Sequence, residues 1–285
     1  VYEDLLGNEW ILSDNGLGML TAGQTTPTSY FVDAAEREKK GGQAFYSCLE
    51  YNSEIYFGSD NGRVWCYQKE NGQFQLQNLP ASSRIVSINS VEGNELIFTT
   101  AKDGFFSYQP KTKAIEHFPA SRFPNASIHS VYVDKASEVW FEQHIPGTVV
   151  HFNPRTRILK QEKVPVEPTS TDRSRPAFHI HEDINGVLWV HPYGGGFSYF
   201  DRKSNSLHPF YNSLSGSDWR FSNKIHAAFS DRQGDLWMCT HSKGLEKVTF
   251  RPSQFRVMTP MPHDYESLSN EVRALCEDCL LYTSP

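Results

Sequence analysis

One short pattern recurs along this 285-residue sequence and constrains its fold more than any other feature. Its clearest copy reads Asp183-Ile-Asn-Gly-Val-Leu-Trp189-Val, followed by Gly194-Gly-Gly-Phe-Ser-Tyr-Phe-Asp201. It returns as Asp231-Arg-Gln-Gly-Asp-Leu-Trp237-Met and again as Asp134-Lys-Ala-Ser-Glu-Val-Trp140-Phe. Fainter copies centre on Trp10, Tyr56 and Ile97. The six anchors (Trp10, Tyr56, Ile97, Trp140, Trp189 and Trp237) stand roughly 40–50 residues apart, a period that signals a repeated supersecondary unit.

Within one repeat the strands are legible. Residues 128–134 alternate and stop at a polar turn, 138–143 carry the aromatic anchor, 148–152 form a third strand and 158–163 a fourth. No helical period intervenes, and both faces of each unit carry apolar residues. Radial packing of four-stranded meanders buries both faces and leaves only short edges. The expected fold class is therefore all-β, a β-propeller of four-stranded antiparallel blades. Blades start near 1, 45, 85, 128, 178, 225 and 272, so residues 1–278 read as six repeats plus the first strand of a seventh, an incomplete ring. The Asp before the second strand predicts a turn lock, and Trp140, Trp189 and Trp237 are expected at equivalent buried positions. Residues 279–285 break the pattern and read as a non-native tail.

The formal net charge of −6 and the absence of a basic stripe exclude a nucleic-acid surface. No apolar run approaches the ~20 residues of a membrane-spanning helix. Of the five cysteines, Cys48 and Cys66 fall on the first and third strands of one blade, ~9.6 Å apart and beyond disulfide reach. They read as small buried hydrophobes. Cys276 and Cys279 form a C-x-x-C without a second pair.

The pattern D-x-x-G-x-L-W-[IV], then G-G-[LF]-x-x-[YF]-[DN], resembles the two-component regulator propeller repeat. The stretch Ser267-Leu-Ser-Asn-Glu-Val-Arg-Ala-Leu-Cys-Glu-Asp278 is similar to that family's joint between blades. The resemblance is strongest at 183–201 and 231–245. It implies the ligand-sensing extracytoplasmic part of a hybrid histidine kinase anchored in the inner membrane. Such a chain would bind an oligosaccharide, pair as a homodimer and signal through a downstream region of the same parent protein.

The residues themselves offer no HExxH, GxSxG or phosphate-binding loop, and neither a catalytic group nor a cofactor is expected. His179 and His181 share one face of a strand as a metal pair could. The column of His181 also holds Tyr2, Cys48, Asn89, Tyr132 and Phe229, however, which favours packing or channel lining. The turns between second and third strands and the connections between blades emerge on one face. That gathers His144, His191, Tyr193 and His241 from turns, with Arg84, Arg122, Arg173, Arg175, Trp219 and Arg220 from connections. Aromatic surfaces and planar guanidinium donors suit a glycan. Trp219 and Arg220 lead this set, because an unaligned Trp in a polar connection has no packing role in the repeat. A protein-interaction scaffold or a carbohydrate-active propeller enzyme could use the same face.

Overall fold

Each repeat folds into its own antiparallel sheet. The computed structural model describes residues 1–32, 44–123, 128–143, 148–164, 178–192, 197–210, 225–240 and 244–249. Five four-stranded sheets and one three-stranded sheet follow in chain order, and neighbours in sequence are neighbours in the sheet. Their first strands begin at Tyr2, Phe45, Ile85, Ile128, Phe178 and Ile225. The fourth strand of sheet six and the seventh repeat expected at 272–278 lie outside the described residues, as does the tail at 279–285. Each following sheet presents its first strand to the first or second strand of the sheet before it, the arrangement of blades fanned about an axis, and the described residues close no ring. One 3₁₀ turn, Ala120–Arg122, sits between sheets three and four. Among the described residues no helix is long and apolar enough to cross a membrane.

The repeated Asp closes the turn between first and second strands. In sheet four, Asp134 Oδ1 accepts the backbone N–H groups of Ala136 and Glu138, each at 2.9 Å, and Oδ2 accepts Trp140 Nε1–H at 2.9 Å. The same three bonds recur from Leu6, Asn8 and Trp10 to Asp4, from Asn185, Val187 and Trp189 to Asp183, and from Gln233, Asp235 and Trp237 to Asp231. The indole bonds span 2.8–3.1 Å. One carboxylate thus satisfies two turn amides and the only polar atom of the anchor, which can then be buried without an orphaned donor. The turn needs a positive φ three residues after the Asp, supplied by Gly7, Gly186 and Gly234, and in sheet four by Ser137 at +62°.

Sheets two and three replace this device. Their turns are tight hairpins with positive φ at Asn52 and at Gly93 and Asn94. The anchors change accordingly: Tyr56 donates its hydroxyl to Glu54 Oε2 at 2.6 Å, and Ile97 has no polar atom to satisfy.

The anchors of sheets one to five face the following sheet. Trp10 packs on Phe57 and Tyr67 of sheet two, with ring centroids 5.0 and 4.8 Å apart. Trp140 stacks on His151 and meets Phe200 of sheet five edge-on at 4.8 Å. Trp10, Tyr56, Ile97 and Trp140 are fully buried. Trp189 and Trp237 are only half-buried. Trp189 packs against Leu236 and Met238, which are smaller than the aromatics met by Trp10 and Trp140. Trp237 lies on the face of sheet six that also carries Phe229 and Leu245, 66% and 62% exposed, and no described sheet covers it.

A charged clasp spans two of these interfaces in equivalent positions. Glu50 of sheet two accepts the N–H of Leu5, and Lys69 bridges Glu50 to Asp4. Glu182 of sheet five accepts the N–H of Lys135, and Arg202 reaches Asp134 at 3.0 Å and Glu182 at 3.5 Å. Each clasp ties the Asp of one turn lock to the next blade. Between sheets three and four, Arg157 instead bonds Glu95 at 2.7 Å and Ser107 at 2.9 Å, and lies over the rings of Phe118 and Phe152.

Replacing Asp134 by Ala orphans a buried indole N–H and two turn amides and leaves Arg202 without one partner. The expected loss is about 2–4 kcal/mol, with a red shift of tryptophan emission. Asp231→Ala should lower the melting temperature less, because Trp237 retains contact with water. Equal melting temperatures for wild type and Asp134→Ala would remove the lock from the list of stabilising contacts.

Candidate functional site

The turns between first and second strands, Asp-locked in sheets one, four, five and six, lie at one end of the sheets, and the opposite end departs from ideal geometry in a repeated way. The first strands of sheets two, three, four and six each carry one extra residue in the ladder, at Tyr46, Val86, His129 and His226. A bulge of this kind turns a side chain away from the sheet face and is common beside binding sites. Sheet five has none: Phe178 pairs with Pro192 and His179 with His191.

At this bulge end a hydroxyl ties down the turn between second and third strands. Ser13, Ser59, Thr100 and Thr240 each donate to the carbonyl oxygen of Gly16, Arg63, Gly104 or Gly244 at 2.8–3.1 Å. Gly104 must be glycine, because its φ is +89° and a Cβ would sit 2.1 Å from the Phe118 carbonyl oxygen. In sheets four and five the equivalent positions are Gln143 and Pro192, which carry no hydroxyl, and the turns after them lie outside the described residues. Local rules of a repeat are broken most often where function requires it.

His191 is the one residue of the leading candidate set within the described residues, and its placement corrects the expectation. It lies on the second strand of sheet five, Leu188–Pro192, and is fully buried instead of projecting from the turn. The cause is the unbroken ladder of that sheet, which keeps His191 on the face turned toward sheet six. Its ring lies 5.0 Å from that of His179 and 6.0 Å from that of His181. His181 is buried in the column that favoured packing over ligation. No group of three or more His, Cys, Asp or Glu among the described residues is arranged to hold a metal ion. His144, Arg173, Arg175, Tyr193, Trp219, Arg220 and His241 lie outside the described residues.

Arg84 and Arg122 are described. Arg122 lies over the Phe118 ring at 5.2 Å, and Arg84 lies over the Tyr46 ring at 5.2 Å. Tyr46 is 48% exposed and donates its hydroxyl to Asp14 Oδ1 at 3.0 Å, a bond that pushes its phenol pKa up. The backbone holding Arg84 is fixed from both sides. Asp103 accepts the backbone N–H and hydroxyl of Ser82 and of Ser83 at 2.8–2.9 Å, while the Arg84 carbonyl accepts the Ala101 N–H at 2.9 Å. Burial would raise the Asp103 carboxyl, but these serine bonds hold it below its ordinary pKa. Sequence reading missed Tyr46. The available signal was the break in alternation at Phe45-Tyr46-Ser47, where two aromatics stand in succession.

The described cysteines Cys48, Cys66 and Cys239 are free. Cys48 and Cys66 face opposite sides of sheet two, and burial pushes their thiols up to about 11 and about 12, which makes them unreactive at neutral pH.

Burial also pushes His181 down to about 4, with Asp183 drawing it upward and His179 pressing it further down. Between pH 4 and 6.5 the unfolded chain therefore binds a proton that the folded chain does not. Stability is complete above about pH 6.5 and falls as the pH drops toward 4. His181→Phe, which copies Phe229 of sheet six, should flatten the part of the melting-temperature profile between pH 6.5 and 5. A variant profile parallel to wild type would exclude His181 as the source of the slope.

No protein family matches the sequence, and no curated protein matches it. Solved structures do. An extracellular domain assigned to a hybrid two component system of B. thetaiotaomicron superposes with a TM-score of 0.58 at 15% identity, covering 87% of this chain and 33% of that one. A second such domain from B. thetaiotaomicron gives 0.51 at 18% identity, over 89% and 38%. Virginiamycin B lyase from Staphylococcus aureus gives 0.58 at 15% identity, over 90% and 84%. The chain thus spans little more than a third of the length of the two extracellular domains. At these identities the likeness establishes the fold, a propeller of four-stranded blades.

Proposed function

We propose that this chain is the ligand-sensing propeller of an extracytoplasmic receptor. In this reading it recognises an oligosaccharide at the bulge end, is not itself catalytic, and passes the signal to a histidine kinase in the same parent protein. The observation that carries the reading is the pattern of departures from the repeat. At the lock end four of the six turns share one carboxylate device and the other two are tight hairpins, whereas the bulge end varies. Sheets four and five have Gln143 and Pro192 where the other sheets have Ser or Thr, and the connection with Trp219 and Arg220 follows sheet five in sequence. The fold shared with two extracellular domains of hybrid two component systems supports the placement outside the cytoplasm. The apolar face around Phe229, Trp237 and Leu245 suits a further blade of the parent chain, with 272–278 as its first strand.

An indole offers a rigid apolar surface for a sugar ring, and Arg a planar fork of donors for its hydroxyls. In this reading Tyr193, His144, Arg175 and His241 are assigned to the same site, and His191 is buried. Losing such an aromatic anchor costs ~2 kcal/mol, or about thirtyfold in affinity. Trp219→Ala should therefore weaken oligosaccharide binding about thirtyfold by calorimetry, with little change in melting temperature. Release of shortened products from the oligosaccharide would replace the sensor by a carbohydrate-active enzyme. Binding of proteins and of no glycan would replace it by an interaction scaffold.

A further inference from the structure

The bulge end carries a second feature, far along the chain from Trp219 and wholly within the described residues. Tyr46 is the extra residue in the first strand of sheet two, so the ladder itself turns its ring out of the sheet. A large aromatic left 48% exposed has no packing role to explain it, and the repeat places a bulge residue as different as Val86 at the same point of sheet three. Around it the polar groups come from three blades. Asp14 belongs to the turn after the second strand of sheet one, Asp60 follows the second strand of sheet two, and Arg84 opens sheet three. Asp14 accepts the Tyr46 hydroxyl at 3.0 Å, Arg84 lies 5.2 Å over the ring, and the Asp60 N–H donates at 2.9 Å to the carbonyl of Ala44, two residues before Tyr46.

The supports of these groups are made before any ligand arrives. Asp103 and its four serine bonds fix the connection that ends at Arg84, Ser59 and its bond to the Arg63 carbonyl fix the turn containing Asp60, and Ser13 fixes the turn containing Asp14. A preorganised cluster of one ring, one guanidinium and two carboxylates has both donors and acceptors and little net charge. That combination rejects an anion, which would meet the carboxylates, and rejects an apolar group, which would strip water from them. It suits a polyhydroxylated ring that gives hydroxyl protons to Asp14 and Asp60, accepts from Arg84 and lays its C–H face on tyrosine.

We infer that Tyr46, Arg84, Asp14 and Asp60 form a subsite for a neutral sugar residue at the bulge end of sheets one to three. The inference rests on the glycan-sensing reading and adds a location and a sugar class to it. Calorimetry of the 285-residue chain against neutral cello-, xylo- and mannohexaose and against an acidic oligogalacturonate tests both. Wild type should bind a neutral hexasaccharide. Tyr46→Ala should weaken that binding at least about tenfold, Arg84→Ala by a similar factor, and Tyr46→Phe, which keeps the ring, by less than about threefold. Melting temperatures should stay within a degree or two of wild type, because Tyr46 is on the surface. Undiminished binding by Tyr46→Ala while Trp219→Ala loses it would overturn the subsite and leave the sensor reading standing. Tyr46-dependent binding of oligogalacturonate alone would overturn the neutral assignment. Wild type binding none of the saccharides would overturn the sensor reading and the subsite together.

Discussion

The bond from an indole N–H to a turn carboxylate is the interaction on which the rest of this structure depends. Asp4, Asp134, Asp183 and Asp231 each hold a turn and an aromatic anchor at once. Without it the turn amides and the indole nitrogen would enter the blade interface unsatisfied, at a cost of about 1–3 kcal/mol for each buried group. With it, the anchor is aimed at the next sheet in a fixed orientation, and blade after blade repeats the same contact. Sheets two and three show the rule by their exception: tight hairpins need no carboxylate, and their anchors, Tyr56 and Ile97, have no indole to satisfy.

The two ends of the blades are consequently under different constraints. At the lock end the chain is tied within each blade and, through Lys69 and Arg202, between blades. The bulge end has less to hold. A hydroxyl ties four of its turns, while bulges at Tyr46, Val86 and His226 release single side chains from the ladder. A rigid scaffold carrying variable loops at one end is the general arrangement by which binding sites are built on repeat folds.

Much of the architecture was legible from the sequence because it is repeated. The strand limits read for repeat four, for example, differ from the observed Ile128–Val133, Val139–Gln143, Thr148–Asn153 and Ile158–Lys163 by one residue at most. The turn lock was visible as an Asp six residues before an aromatic. What could not be read depends on register. A single extra residue decides whether a side chain joins the ladder, and the one local trace of the Tyr46 bulge is the pair of adjacent aromatics Phe45-Tyr46, too slight to set it apart from ordinary strand variation. For that reason His191 was expected in a turn and lies in the core, whereas Tyr46 escaped notice. The clasps of Lys69 and Arg202 join residues from different repeats, and pairing across repeats leaves no periodic trace.

The central claim is that four indole nitrogens are bound to four turn carboxylates in the folded chain, including the two on half-buried rings. Hydrogen exchange of the indole N–H groups, resolved by ¹⁵N-labelled tryptophan NMR, tests it most directly. The account predicts that Trp10, Trp140, Trp189 and Trp237 all exchange far more slowly than an unstructured indole, and that Asp231→Asn selectively speeds Trp237. Exchange of Trp189 and Trp237 at the rate of a free indole, with Trp10 and Trp140 alone protected, would show that burial and not the carboxylate holds the anchors, and would contradict it.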